Sequence, residues 1–150
     1  MRSCDPVSGE AAGSPAGTAC GIVSLTVRVG PQAAVAARAG MARGLSGHVS
    51  AVVLADAQLL VSELVTNSVR HAGLTPHDFV RVGAEVVDGV LLIEVDDPGT
   101  AGTVAPRAAD MGRGGGFGLR IVEAVSRRWG IQRNGQTRVW AELLCAAPPV

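Results

Sequence analysis

Three groups of residues in this sequence have types and spacings that could do chemistry. In the run Ser62-Glu63-Leu64-Val65-Thr66-Asn67-Ser68-Val69-Arg70-His71, Glu63, Asn67 and His71 fall at i, i+4 and i+8. On a helix they form one polar stripe bordering the apolar positions Val61, Leu64 and Val65. The run Leu91-Leu92-Ile93-Glu94-Val95-Asp96-Asp97-Pro98-Gly99 ends a strand pattern, and alternation puts Asp97 on the face of Leu91, Ile93 and Val95. A carboxylate delivered to a buried face must find a donor or a metal. Gly112, Gly114, Gly115, Gly116 and Gly118 lead into the apolar-periodic segment Leu119–Val125, and glycine amides before a helix N-terminus can approach a phosphate closely. Each group also has an ordinary reading: a solvated helix face, a turn aspartate before Pro-Gly, and a flexible linker.

The elements that must position these residues follow from periodicity and punctuation. Residues 1–19 are rich in Gly, Ala, Ser and Pro and are expected to stay flexible. Ile22, Leu25, Val27 and Val29 predict a first strand, and Pro31 is expected at the first position of an alanine-rich helix reaching Leu45. That helix could dock a partner or simply pack on the sheet. Ser50 is placed to cap a long helix to about His71. Phe79–Val87 and Val90–Val95 flank Asp88-Gly89, and Ile131–Arg133 and Thr137–Leu143 flank Asn134-Gly135, two hairpin signals. Between the hairpins lie a glycine-rich loop at 98–116 and a helix at about 117–128. The order predicts an α+β two-layer sandwich of helices on a mixed, mostly antiparallel sheet, with residues 20–146 as its one domain.

Composition narrows the chemistry. All 13 basic residues are arginine, which excludes a Schiff-base lysine, the Walker A lysine and the strand-borne lysine of eukaryotic-type protein kinases. Thirteen acidic residues balance them, so no electrostatic footprint for direct nucleic-acid or anionic-membrane binding is present. Cys4, Cys20 and Cys145 make neither a C-x-x-C pair nor a disulfide framework, and the start has no apolar signal core. A cytoplasmic protein without a membrane segment is expected. The arginines at 28, 81, 127, 128 and 133 read as solubility charges, Trp129 and Trp140 as core anchors, and His48 and His77 as loop residues.

Taken in order, the three groups resemble the GHKL (histidine-kinase-like) ATPase superfamily with its Bergerat-type ATP-binding fold, and within it the stand-alone anti-sigma-factor serine/threonine kinases. The resemblance covers roughly residues 20–145. Its boxes are E-x-x-x-N at Glu63 to Asn67, D-x-G at Asp97-Pro98-Gly99, G-x-G-φ-G-L at Gly114 to Leu119, and G-x-T-x-V-W at Gly135 to Trp140. It implies a nucleotide site in which Asp97 accepts a hydrogen bond from the adenine amino group and Asn67 ligates Mg²⁺, with Gly99 and Thr137 beside them. Gly114, Gly116 and Gly118 would offer amides to the phosphates, flanked by Phe117 and Leu119, and Arg70, His71 or Arg113 would add charge. Glu63 would orient or deprotonate the attacking oxygen.

The second box departs from the family's D-x-G-x-G, having Thr100-Ala101-Gly102 after Gly99, and Gly115 adds a glycine to the lid. The resemblance implies ATP and Mg²⁺ as cofactors, and a sigma factor and an anti-sigma antagonist as protein partners, with a homodimer as an option. It leaves two functions open: a kinase acting on the antagonist, and a nucleotide-sensing module that holds a partner without turnover. A histidine kinase is the less expected reading, since only about twenty residues precede the domain and no dimerising helix with a phospho-accepting histidine is among them.

Overall fold

A computed structural model describes residues 19–71, 74–99 and 117–145. The elements run β1 (Ala19–Arg28), α1 (Ala33–Leu45), α2 (Ala51–His71), β2 (Phe79–Val87), β3 (Val90–Asp97), α3 (Phe117–Val125), β4 (Arg128–Arg133) and β5 (Thr137–Leu144). The five strands form one sheet in the order β1-β2-β3-β5-β4, and all four pairings are antiparallel. This is the expected α+β sandwich. The loop expected at 98–116 lies outside the described residues from Thr100 onward, as does the N-terminal segment up to Thr18.

Alternation decides which face of the sheet is buried. Val23 and Val27 of β1, Val80, Val82 and Ala84 of β2, Leu91, Ile93 and Val95 of β3, and Val139, Ala141 and Leu143 of β5 are all buried on the helix side. Register aligns them in rows: Leu25 with Val82, Val95 and Val139, and Val23 with Ala84, Ile93 and Ala141. β3 is the central strand, so its end is enclosed on both sides. Ile22, of opposite parity to Val23 and Val27, faces away from the helices and is about half exposed, and the β1–β2 register shifts between Cys20 and Ile22.

α2 is the core helix. Ser50 caps it, its Oγ accepting the N–H of Val53 at 3.2 Å, and Leu60, Val61, Leu64 and Val65 are fully buried. Its several valines each cost a few tenths of a kcal/mol in helix propensity, whereas each buried aliphatic side chain contributes about 1.5–3 kcal/mol, so burial sets its position. Ala51–Arg70 is long and apolar enough to cross a membrane by length and composition, but its apolar stripe is spent on this sheet.

α1 begins at Ala33, two residues later than expected. Pro31 sits in a turn closed by the Ala33 N–H donating to the Gly30 carbonyl at 3.1 Å, not at the first helical position. Of the two roles left open for α1, packing on the sheet is the one observed. A Cβ on Gly44 would lie 2.5 Å from Val23 Cγ2 and 2.9 Å from the Ile22 carbonyl oxygen, so glycine permits the close approach. α3 ends at Val125 rather than near Arg128, because Arg128–Arg133 pairs with β5 as strand. Both hairpins form at the expected dipeptides, with Asp88 (φ 51°) and Gly89 (φ 77°) in the left-handed turn conformation that Asp-Gly suits.

Trp129 packs against the core, but Trp140 does not. It stands on the sheet's other face over Gly130, whose added Cβ would meet its ring at 2.8 Å, with the Arg128 guanidinium 5.8 Å from the ring centre. On the same face Arg138 forks onto Asp96 at 2.7 and 2.9 Å and reaches Glu94 at 2.9 Å. Arg128 likewise forks onto Glu142, so it is more than a solubility charge.

Candidate functional site

The site is built where the last two turns of α2 meet the end of β3. Because Asp97 continues the inward row of Leu91, Ile93 and Val95, its carboxylate enters the helix side of the sheet, and it is only 3% exposed. Its strand partner on β5 is Thr137. Immediately after it, Gly99 turns with φ +51°, a left-handed conformation that favours glycine, and its N–H donates to Asp97 Oδ1 at 3.0 Å. A Cβ on Gly99 would lie 3.5 Å from Thr137 Oγ1, which brings D-x-G and the closing strand's threonine together.

On the helix side, Ser68 of α2 is also buried. Burial pushes the Asp97 carboxyl above its usual range; the bonds from Gly99 and Ser68 oppose that shift, and the charge of Asp96 adds to it. Asp97 is thus a desolvated acceptor held by the Gly99 N–H.

Asn67 precedes Ser68 on α2 and is half-buried. Its Nδ2 atom is buried without a hydrogen-bond partner among the described residues, an arrangement that costs about 1–3 kcal/mol unless a ligand satisfies it. Rotating the carboxamide by 180° exchanges its oxygen and nitrogen, so the same position can present Oδ1. A neutral amide oxygen is a fitting ligand for Mg²⁺, which keeps waters and shares phosphate oxygens. Glu63 lies one helical turn before Asn67 and is half-buried.

The structure brings Asn67, Asp97, Gly99 and Thr137 to one end of the sheet, with Glu63 one turn along. Arg70 is exposed and lines a cavity of about 370 Å³ with Gly30, Pro31 and Val65, between α2 and the start of α1, and Asp97 is not among the residues that line it. His71 is the last residue of α2, and Phe117, Gly118 and Leu119 are the first three of α3, which packs on α2. Arg113, Gly114 and Gly116 lie outside the described residues. Ser68 was not among the residues singled out from the sequence. Its signal is its position at i+4 from Leu64 and i+8 from Leu60, a hydroxyl on an otherwise apolar row.

A comparison with curated proteins finds no match. Among solved structures, the crystal structure of the RsbU and RsbW domains of Rv1364c from Mycobacterium tuberculosis is similar, with a TM-score of 0.63 and 22% sequence identity. The match covers 85% of this chain and 33% of that one, so the chain spans about a third of that protein's length. The family model for the histidine kinase-like ATPase domain matches residues 27–143. With its boxes on α2, at the end of β3 and on β5, the chain belongs to the histidine kinase-like ATPase domain family.

Proposed function

We propose that this chain binds ATP with Mg²⁺ between α2, the end of β3 and the start of α3, and acts as an anti-sigma factor with serine/threonine kinase activity toward an anti-sigma antagonist. The observation that carries the reading is the pairing of a buried carboxylate, Asp97, with a buried carboxamide on Asn67 that lacks a partner among the described residues. Family membership supports ATP as the nucleotide, and likeness of fold to an RsbW domain supports a regulatory role. The exclusion of phosphate-gripping lysines fits as well, since this site uses none.

Each residue has a physical task. Asp97, ionised, is an acceptor only, and so suits the exocyclic amino group of adenine. Asn67 would hold Mg²⁺, which when bound neutralises phosphate charge. Glu63, one turn from Asn67, would orient the attacking hydroxyl and take its proton. The N-terminus of α3, with Gly118 in its first turn, offers backbone amides to an anion.

The experiment is incubation of the protein with labelled ATP and candidate antagonist domains. Serine or threonine phosphate on the antagonist is expected, together with its loss in Glu63→Ala while ATP binding persists. Transfer that survives Glu63→Ala overturns the role given to Glu63. ATP binding without any transfer selects the alternative, a nucleotide-sensing module that holds its partner, for which the departure at Thr100-Ala101-Gly102 is the motivation.

A further inference from the structure

The cavity between α2 and the start of α1 has no task in the nucleotide reading, since Glu63, Asn67 and Asp97 are not among the residues that line it. It measures about 370 Å³, and Pro31, Ala33, Val65 and Val69 give it apolar walls. Arg70 is the charged residue among the described ones that line it, and Thr66 adds a hydroxyl. The volume lies within the ~300–1,000 Å³ of small-molecule sites, which combine mostly apolar walls with a few placed polar groups.

The cation at this cavity lacks a counter-charge. Arg128 and Arg138 fork onto carboxylates, whereas the Arg70 side chain makes no ion pair or hydrogen bond with another described residue. α1 opens beside it on Gln32, which makes no side-chain cap, and the first turn of α1 has no acidic residue. The positive end of that helix therefore adds to the potential of the guanidinium.

We propose that this cavity is a second binding site, distinct from the nucleotide site, for a small monocarboxylate with an apolar body such as a medium-chain fatty acid. The planar fork of Arg70 matches the two oxygens of a carboxylate, and the Thr66 hydroxyl is a further donor. The tail lies along Val65, Val69 and Pro31, out of water. One guanidinium compensates one negative charge. A phosphate dianion would bring a second charge against apolar walls that offer it no partner, and an amine would meet the like charge of Arg70.

The test is calorimetric titration of hexanoate and octanoate into the full chain without nucleotide, and of octanoate again with ATP and Mg²⁺ at saturation. Octanoate should bind saturably at one site per chain, about tenfold more tightly than hexanoate, as two further buried methylenes predict. Octylamine should not bind, and octanol should bind about tenfold more weakly than octanoate for want of a charge-assisted hydrogen bond. Because Arg70 is exposed, Arg70→Gln spares the core; it should weaken octanoate about tenfold and leave octanol as it was, which a merely structural role would not do. Ala34→Leu, which fills the cavity from α1, should remove the binding of both. ATP should not displace octanoate. Competition between the two would return Arg70 to the nucleotide site and overturn the assignment. Equal affinity for octanoate and octanol, binding of octylamine, or unsaturable uptake at several sites would overturn it too. So would tighter binding of a short acetylated peptide ending in leucine, which would make the cavity an anchor for the C-terminus of a protein. A wild type that binds octanoate but not ATP leaves the assignment standing and overturns the nucleotide reading instead.

Discussion

Asp97 shows how a functional group can work against the fold that holds it. Burial raises its carboxyl in the folded protein, so the fold takes up a proton more readily than the unfolded chain does. Its favourable contribution to stability is therefore full below the ordinary carboxylate range and is lost as pH rises through the raised value. At neutral pH the ionised, desolvated Asp97 is a liability without nucleotide. Asp97→Asn, which keeps an acceptor for the Gly99 N–H, should raise the thermal midpoint of the nucleotide-free protein at pH 7. That gain should shrink as pH falls toward 4. Melting curves of both proteins across this range check it, and a gain independent of pH would contradict the burial argument. Asn67 gives a second test at this scale: Asn67→Ala should remove the Mg²⁺ dependence of ATP affinity, measured by titration with and without the ion, because its carboxamide is the proposed ligand.

The individual residues were legible in the sequence to the extent that periodicity reports a face. Asp97 was placed inward by alternation alone, since a central strand end stays regular. Trp140 was misplaced because an aromatic in a strand reads as core, whereas its parity with Glu94 and Glu142 puts it on the opposite face. Ser68 was passed over because the polar row Glu63-Asn67-His71 drew the reading to one stripe, while the neighbouring apolar stripe held the hydroxyl.

At the scale of elements, the hairpins and the cap of α2 followed from local chemistry, and the misplaced ends did not. α3 stops at Val125 because Arg128–Arg133 gains a strand partner in β5, a tertiary pairing that local helix propensity cannot report. The start of α1 shifted because Gly30-Pro31 closes a turn before the helix. α1's glycines are explained only by what they touch. Gly44→Ala gains about 1 kcal/mol in helix propensity, but its Cβ would press on the Ile22 carbonyl and Val23, and overpacking of this kind costs about 1–3 kcal/mol. Because one of the contacts is backbone and cannot rotate away, strain should win, and chemical denaturation should show a net loss of stability of about 1 kcal/mol. A gain would mean that α1 can slide on β1.

For the whole molecule, helices on one face of an antiparallel sheet leave a site at the end of the central strand, where α2 supplies polar groups and β3 supplies a carboxylate. Binding there links directly to stability: ATP with Mg²⁺ at a hundred times its dissociation constant should stabilise the fold by about 2.7 kcal/mol. Thermal melts over a nucleotide series should therefore shift upward for the wild type and clearly less at each concentration for Asp97→Asn. Composition bears on the same point, since a chain with arginines and no lysines must hold phosphates by metal, backbone amides and guanidinium.

The most direct test of the account is calorimetric titration of ATP, with Mg²⁺ present, into the wild type and into Asp97→Asn. The account predicts saturable binding by the wild type at one site per chain and a loss of about thirtyfold or more in the variant, from ~2 kcal/mol for a buried hydrogen bond to a charged acceptor. No binding by the wild type, or equal affinity in the two proteins, would contradict it.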